Sequence, residues 1–275
     1  MPIRGAKRAP ELRRGAIAVC LAALLALGAF SVVPVRAAVT DSSITVSAAI
    51  SLKDALDRIG TAYERAHPGA RIAFNFAGSG TLQHQIEQGA PVDVFFSAAE
   101  KQMNTLDSEK LTVSGSRRNI VTNELVLIVP RPSNSVRNFQ DLLKPNVKII
   151  AVGEPSTVPA GMYAQQALQH MGLWAKLQKK FVFAKDVRQV LTYVETGNAD
   201  AGLVYRTDAK ISSNVRIVAA APADSHAPIV YPAAIVKGTK QLSAARAFLD
   251  FLSTARARAI FARYGFTFPE NHAKT

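Results

Sequence analysis

Cysteine is nearly absent from the chain. The single example, Cys20, falls inside an N-terminal segment that reads as a leader. Everything after residue 37 has none, which excludes disulfides, thiolate metal sites and a cysteine nucleophile. Histidine is sparse too: His67, His84, His170, His226 and His272 lie far apart, and no spacing among them is that of a metal site. Ser79 lacks the Gly-x-Ser-x-Gly surroundings of a nucleophile elbow. Heptads, low-complexity tracts and short-period repeats are also missing. Asp93 and Asp200 stand beside strands and offer two carboxylates, for which capping of backbone N–H groups is the simpler use.

The formal charge of +13 invites a nucleic-acid reading until the leader is set aside. Residues 1–37 carry a basic start (Arg4, Lys7, Arg8, Arg13, Arg14), an apolar run over residues 16–30, and small residues at Val35 and Ala37. That order predicts a signal peptide cleaved near Ala37 and an exported, periplasmic chain. The alternative is an uncleaved anchor, for which the apolar run is short. Cys20 lies within that run and follows Val19, which does not suit lipid modification. Without the leader, six basic residues and Glu11 are lost, leaving 27 bases against 19 acids, a net of +8. The remaining bases are scattered, with Arg117-Arg118 and Lys179-Lys180 the only adjacent pairs, so a nucleic-acid partner is not expected.

What is present is an alternation of strand and helix. Apolar β-prone runs at 44–48, 71–76, 92–96, 147–152, 181–183, 201–205 and 229–236 alternate with amphipathic stretches at 51–66, 81–88, 100–108, 161–171 and 187–196. Residues 124–129 are β-rich, and 243–253 and 255–264 close the chain as helices. This predicts an α/β fold with parallel sheets, two of modest size rather than one large one.

Four strand-to-helix junctions share a character. They centre on Ser51, which stands where an N-cap should, on Ser79, on Pro159-Ala160-Gly161, and on Asp186-Val187-Arg188. Each exposes unpaired N–H groups of a first helical turn beyond the carboxyl end of a strand. Several helix starts converging on one point would bind a small dianion without lysine or arginine. Tyr205, at the end of an apolar strand, could add a hydroxyl. Taken singly, each has a plainer explanation: a serine cap, a helix start, a core tyrosine.

The ordered set narrows the choice. Val46-Ser47-Ala48-Ala49-Ile50-Ser51-Leu52, Phe76-Ala77-Gly78-Ser79-Gly80-Thr81-Leu82, residues 89–98 around Val92-Asp93-Val94, Ala151–Pro155 with Val158–Ala164, Asp186-Val187-Arg188 and Gly202-Leu203-Val204-Tyr205 resemble the periplasmic molybdate-binding proteins of molybdate ABC transporters. The likeness runs from about residue 42 to 268 with the motifs in the family's order. It implies a two-lobed, type II periplasmic binding-protein fold with the ligand in the interlobe cleft. Lobe one would comprise residues 38–122 and 233–275, and lobe two residues 123–232. It also implies the ligands of the molybdate or tungstate oxyanion: the hydroxyls of Ser51, Ser79 and Tyr205 and the backbone N–H groups of Ala160 and Val187. The metal would enter only as that oxyanion, with no cofactor and no catalytic residue. The implied partner is a membrane permease, and the receptor itself would be a monomer. Three departures stand out, the first being Ile50 just before Ser51 in the alanine-rich first motif. The second motif is reduced to Gly78-Ser79-Gly80, which leaves its register open by one residue, and Arg206 follows Tyr205. The alternatives are a receptor for another oxyanion such as sulfate, or a hydrolase using Ser79.

Overall fold

The computed structural model describes residues 42–269. The leader, its cleavage near Ala37, Cys20 and His272 lie outside the described residues. From the N-terminal side the elements are β1 (Ser42–Ala49), a 3-10 turn (Ile50–Leu52), α1 (Lys53–Ala66), β2 (Ala70–Ala77), α2 (Ser79–Glu87), β3 (Val94–Phe96), α3 (Glu100–Ser108) and β4 (Arg118–Thr122). The middle of the chain gives β5 (Leu125–Pro130), β6 (Ile150–Gly153), α4 (Pro159–His170), α5 (Trp174–Leu177), β7 (Phe181–Ala184), α6 (Val187–Glu195), β8 (Ala201–Tyr205), α7 (Arg206–Lys210) and β9 (Val215–Ala220). The last elements are β10 (Val230–Ile235), α8 (Leu242–Leu252) and α9 (Ala255–Arg263).

Two five-stranded sheets result, in the orders β2-β1-β3-β10-β4 and β7-β6-β8-β5-β9. Each carries three parallel strands joined through helices, and two antiparallel pairings made by one returning strand, β10 in the first and β5 in the second. Only that returning strand runs against the other four, so each sheet is mainly parallel with a single antiparallel strand. The returning strands are the ones entered directly after the chain crosses from one sheet to the other, between β4 and β5 and between β9 and β10. β9, an edge strand, and the short α7 are absent from the sequence reading. β9 is only half-buried, and the short apolar run there, residues 217–221, is mostly alanine, a weak strand former.

The apolar strands and one face of each flanking helix form the core. In α1, Ala55, Leu56, Ile59, Ala62 and Tyr63 are buried, the spacing of a single helical stripe. Leu56 and Ile59 are fully covered, and burial of side chains of this size stabilises by about 1.5–3 kcal/mol each. β2 lies at the sheet edge with Ile72, Phe74 and Phe76 half-buried on one face and Arg71, Ala73 and Asn75 exposed on the other. The parallel register of β1 on β2 sets Ala49 beside Ala77. Both chains thus leave the sheet at the same end, carrying Ser51 and Ser79 with them.

Candidate functional site

Ser51 does not cap α1. The chain turns from β1 through Ile50–Leu52 before α1 begins at Lys53, and Ala49 holds the extended position ahead of the turn. Buried inside that turn, Ser51 has its Oγ 3.1 Å from the hydroxyl of Tyr231 in β10. Ser79 is likewise not a cap: Gly78 takes that position, and Ser79 is the first residue of α2. Its Oγ accepts a hydrogen bond from the Ala98 N–H at 2.9 Å.

The second sheet contributes through α4, α6 and β8. Pro159 opens α4 with no N–H of its own, so Ala160 carries the first free donor. α4 starts hard against β6: a Cβ on Gly161 would lie 2.0 Å from the Gly153 carbonyl oxygen, so only glycine fits. In α6 the Asp186 side chain accepts from Gln189 N–H at 2.9 Å, as expected of an N-cap, and the N–H of Val187, at the first helical position, has no intrahelical acceptor. Tyr205 ends β8, is buried, and donates a long hydrogen bond of 3.5 Å to the Ala98 carbonyl of the first sheet's lobe.

All five residues line one small, tightly closed cavity, together with Ala98 and the backbone of Ala77–Gly78. Its lining contains no Asp, Glu, Lys, Arg or His. Donors surround it: three hydroxyls and the first-turn N–H groups of several helices. Burial, and then the neighbouring Tyr231, hold the Tyr205 phenol well above its ordinary pKa, so it stays a neutral donor. Such a lining suits a fully ionised oxyanion, which accepts from every donor, and disfavours a protonated one, which would set its own hydrogen against a donor.

The two lobes meet over this cavity. Gly80 N–H donates to the Thr157 carbonyl at 2.8 Å, and Tyr205 and Tyr231 pack edge to face. A Cβ on Gly80 would lie 2.6 Å from the Thr157 oxygen. Ser51, Ser79, Ala160, Val187 and Tyr205 are each at most 3 % exposed, which describes a closed cleft.

Sequence reasoning missed Tyr231, Asn123 and Ala98. Asn123 Nδ2 donates to the Tyr231 hydroxyl at 3.2 Å, and its own carbonyl oxygen accepts from Glu124 N–H. Nothing in the run 229–236 separates Tyr231 from a core tyrosine, and Ala98 acts through its backbone alone. The remaining candidates take structural posts. Asp93 accepts from Thr45 N–H, and Asp200 from Lys148 and Ile149 N–H. Arg206 turns away from the cavity to pair with Glu124. Among the described residues no three His, Cys, Asp or Glu side chains gather as a metal site requires.

A two-lobed α/β chain that closes over a small cavity of neutral donors has the architecture of a solute receptor. The chain belongs to the family of bacterial extracellular solute-binding proteins, whose model matches residues 44–267. It is 46 % identical over 226 residues, 82 % of this chain and 86 % of the other, to a Bacillus subtilis protein assigned as the ABC transporter substrate-binding lipoprotein YvgL. It is 41 % identical over 232 residues, 82 % of this chain and 90 % of the other, to the molybdate-binding protein ModA of Haemophilus influenzae. In structure it resembles the periplasmic molybdate-binding protein of Azotobacter vinelandii, with a TM-score of 0.75 and 29 % identity over 82 % of this chain and all of the other.

Proposed function

We propose that the protein captures molybdate, and tungstate with it, outside the cytoplasm and delivers the anion to the membrane permease of an ABC transporter. The observation that carries this reading is the closed cavity lined by donors from both lobes and by no ionised side chain. Ser51, Ser79, Ala160, Val187 and Tyr205 are the proposed ligands. Kinship with the molybdate-binding proteins supports the choice of anion. Lobe one would be residues 38–122 with 233–275, and lobe two residues 123–232. The sheets support this division, since β1–β4 and β10 share one and β5–β9 the other, although β10 straddles its second boundary. The exported chain is read as cleaved near Ala37 and as a monomer.

A hydrolase built on Ser79 fits less well. Ser79 Oγ accepts from Ala98 N–H, and no residue able to act as a general base lines the cavity. Phosphate keeps a proton at neutral pH and would want a carboxylate acceptor, which the lining lacks. Sulfate shares the full ionisation of molybdate, so size must separate the two.

Thermal unfolding of the mature chain with each anion tests the reading. Molybdate at a hundredfold excess over its Kd adds about 2.7 kcal/mol of stability, while sulfate at equal concentration adds far less. Equal stabilisation by both would refute the selectivity, and no shift with molybdate or tungstate would refute the function.

A further inference from the structure

Arg188 follows the proposed ligand Val187 in the first turn of α6, and its side chain is 19 % exposed. Its Nε donates to Asp208 Oδ1 at 2.6 Å, and its Nη2 donates to Asp54 Oδ2 at 2.6 Å. Asp208 belongs to α7 of the same lobe and is fully buried. Asp54 belongs to the other lobe, in the first turn of α1, three residues beyond Ser51. One guanidinium therefore ties together the helix starts that flank the cavity from opposite sides, without lining the cavity itself.

We propose that Arg188 is an interlobe latch, a positioning residue that holds the cleft shut over the anion and slows its release. This rests on the reading of the cavity as an oxyanion site. The two bonds have different roles. Asp208 is buried beside Arg188 and keeps the planar fork oriented whether the lobes are together or apart. Asp54 is reached only when the lobes meet, and its side chain is 39 % exposed, so on opening it returns to water with little penalty. The bond is thus made on closure and broken on release. It also neutralises a carboxylate that would otherwise stand beside a bound dianion.

That last point makes the sign of one substitution decisive. Removing the Asp54 charge, taken as electrostatics alone, strengthens attraction for a dianion. Removing a latch weakens retention. Truncating Arg188 is the poorer test, because it strands Asp208 in the interior without a partner.

The experiment compares the mature wild-type chain with Asp54→Ala and Asp54→Glu. Calorimetric titration with molybdate gives the affinity. Spin labels at Asn104→Cys and Gln169→Cys report the interlobe distance, with no native cysteine to interfere after residue 37. Asp54→Ala is expected to weaken molybdate binding about 3- to 30-fold, between the range of an exposed ion pair and that of a charge-assisted hydrogen bond, and to enrich longer interlobe distances. Asp54→Glu retains part of the affinity. Unchanged or tighter binding by Asp54→Ala, with unchanged distances, overturns the latch. If the wild type binds no molybdate, the functional reading fails by itself. The latch is then judged on the ligand-free distances, which must still lengthen in Asp54→Ala.

Discussion

A serine hydroxyl serves an anion best when another group occupies its lone pair and leaves its hydrogen free. Ser79 meets that condition outright, and Ser51 is placed to meet it. Ala98 N–H donates to Ser79 Oγ, so the Ser79 hydrogen is left for the cavity. For Ser51 the argument takes one more step. Its bond to Tyr231, whose oxygen also accepts from Asn123 Nδ2, can run either way, and a bound anion favours the arrangement in which Tyr231 donates and the Ser51 hydrogen turns to the cavity. Ser51→Ala should therefore weaken molybdate binding by about 1–3 kcal/mol, the usual loss for a hydrogen bond to a charged group, as read by calorimetric titration. An unchanged affinity would mean that Ser51 serves only the bond to Tyr231. The serine was legible in the chain as a strand end meeting a helical pattern, and its proposed role was legible only through the ordered motifs around it. Tyr231, 180 positions away, was not legible, because the pairing of β10 with β3 that brings it near is a tertiary fact with no local signal.

Among the elements, α2 is the one whose sequence is hardest to justify by local preference. Its second residue is Gly80, where alanine would favour the helix by about 0.5–1 kcal/mol. The reason lies across the cleft, in the Thr157 carbonyl that would crowd a Cβ at 2.6 Å and that accepts the Gly80 N–H. Gly80→Ala should leave the ligand-free protein as stable as the wild type or slightly more so. Its affinity for molybdate should fall by about 1–3 kcal/mol, the range for overpacking, because the lobes no longer meet. Thermal unfolding with and without molybdate separates the two effects, and a variant whose molybdate shift equals that of the wild type would sink the idea. Element by element, fully buried apolar strands such as β6 and β8 and the capped helix α6 were readable because apolar run and cap stand out locally. The start of α1 was misread because a 3-10 turn and an N-cap present the same residues to a sequence pattern. β9 escaped because an edge strand need bury only part of its surface.

At the scale of the whole molecule, the closed form carries one uncommon burden, a carboxylate in its interior. Burial drives the Asp208 carboxyl up to about 6, against the pull of the Arg188 guanidinium, and Oδ2 has no hydrogen-bond partner. In the unfolded chain an aspartate titrates near 3.9. Between those values the folded protein holds a proton that the unfolded chain has lost, so this group lowers stability as pH rises from about 4 to about 6 and contributes a constant penalty above. Other carboxylates and the net positive charge of the mature chain titrate over the same acid range, so the wild type alone cannot isolate the effect. Asp208→Asn removes the ionisation and keeps the shape. The difference in unfolding free energy, wild type minus variant, measured in urea at several pH values, should fall across the window from about 4 to about 6. The fall should be on the order of 3 kcal/mol, at about 1.36 kcal/mol per unit of pKa, and the difference should stay level above. A difference that stays flat through the window would mean that Arg188 already neutralises Asp208 in full, and that the closed lobes bear no penalty from its burial.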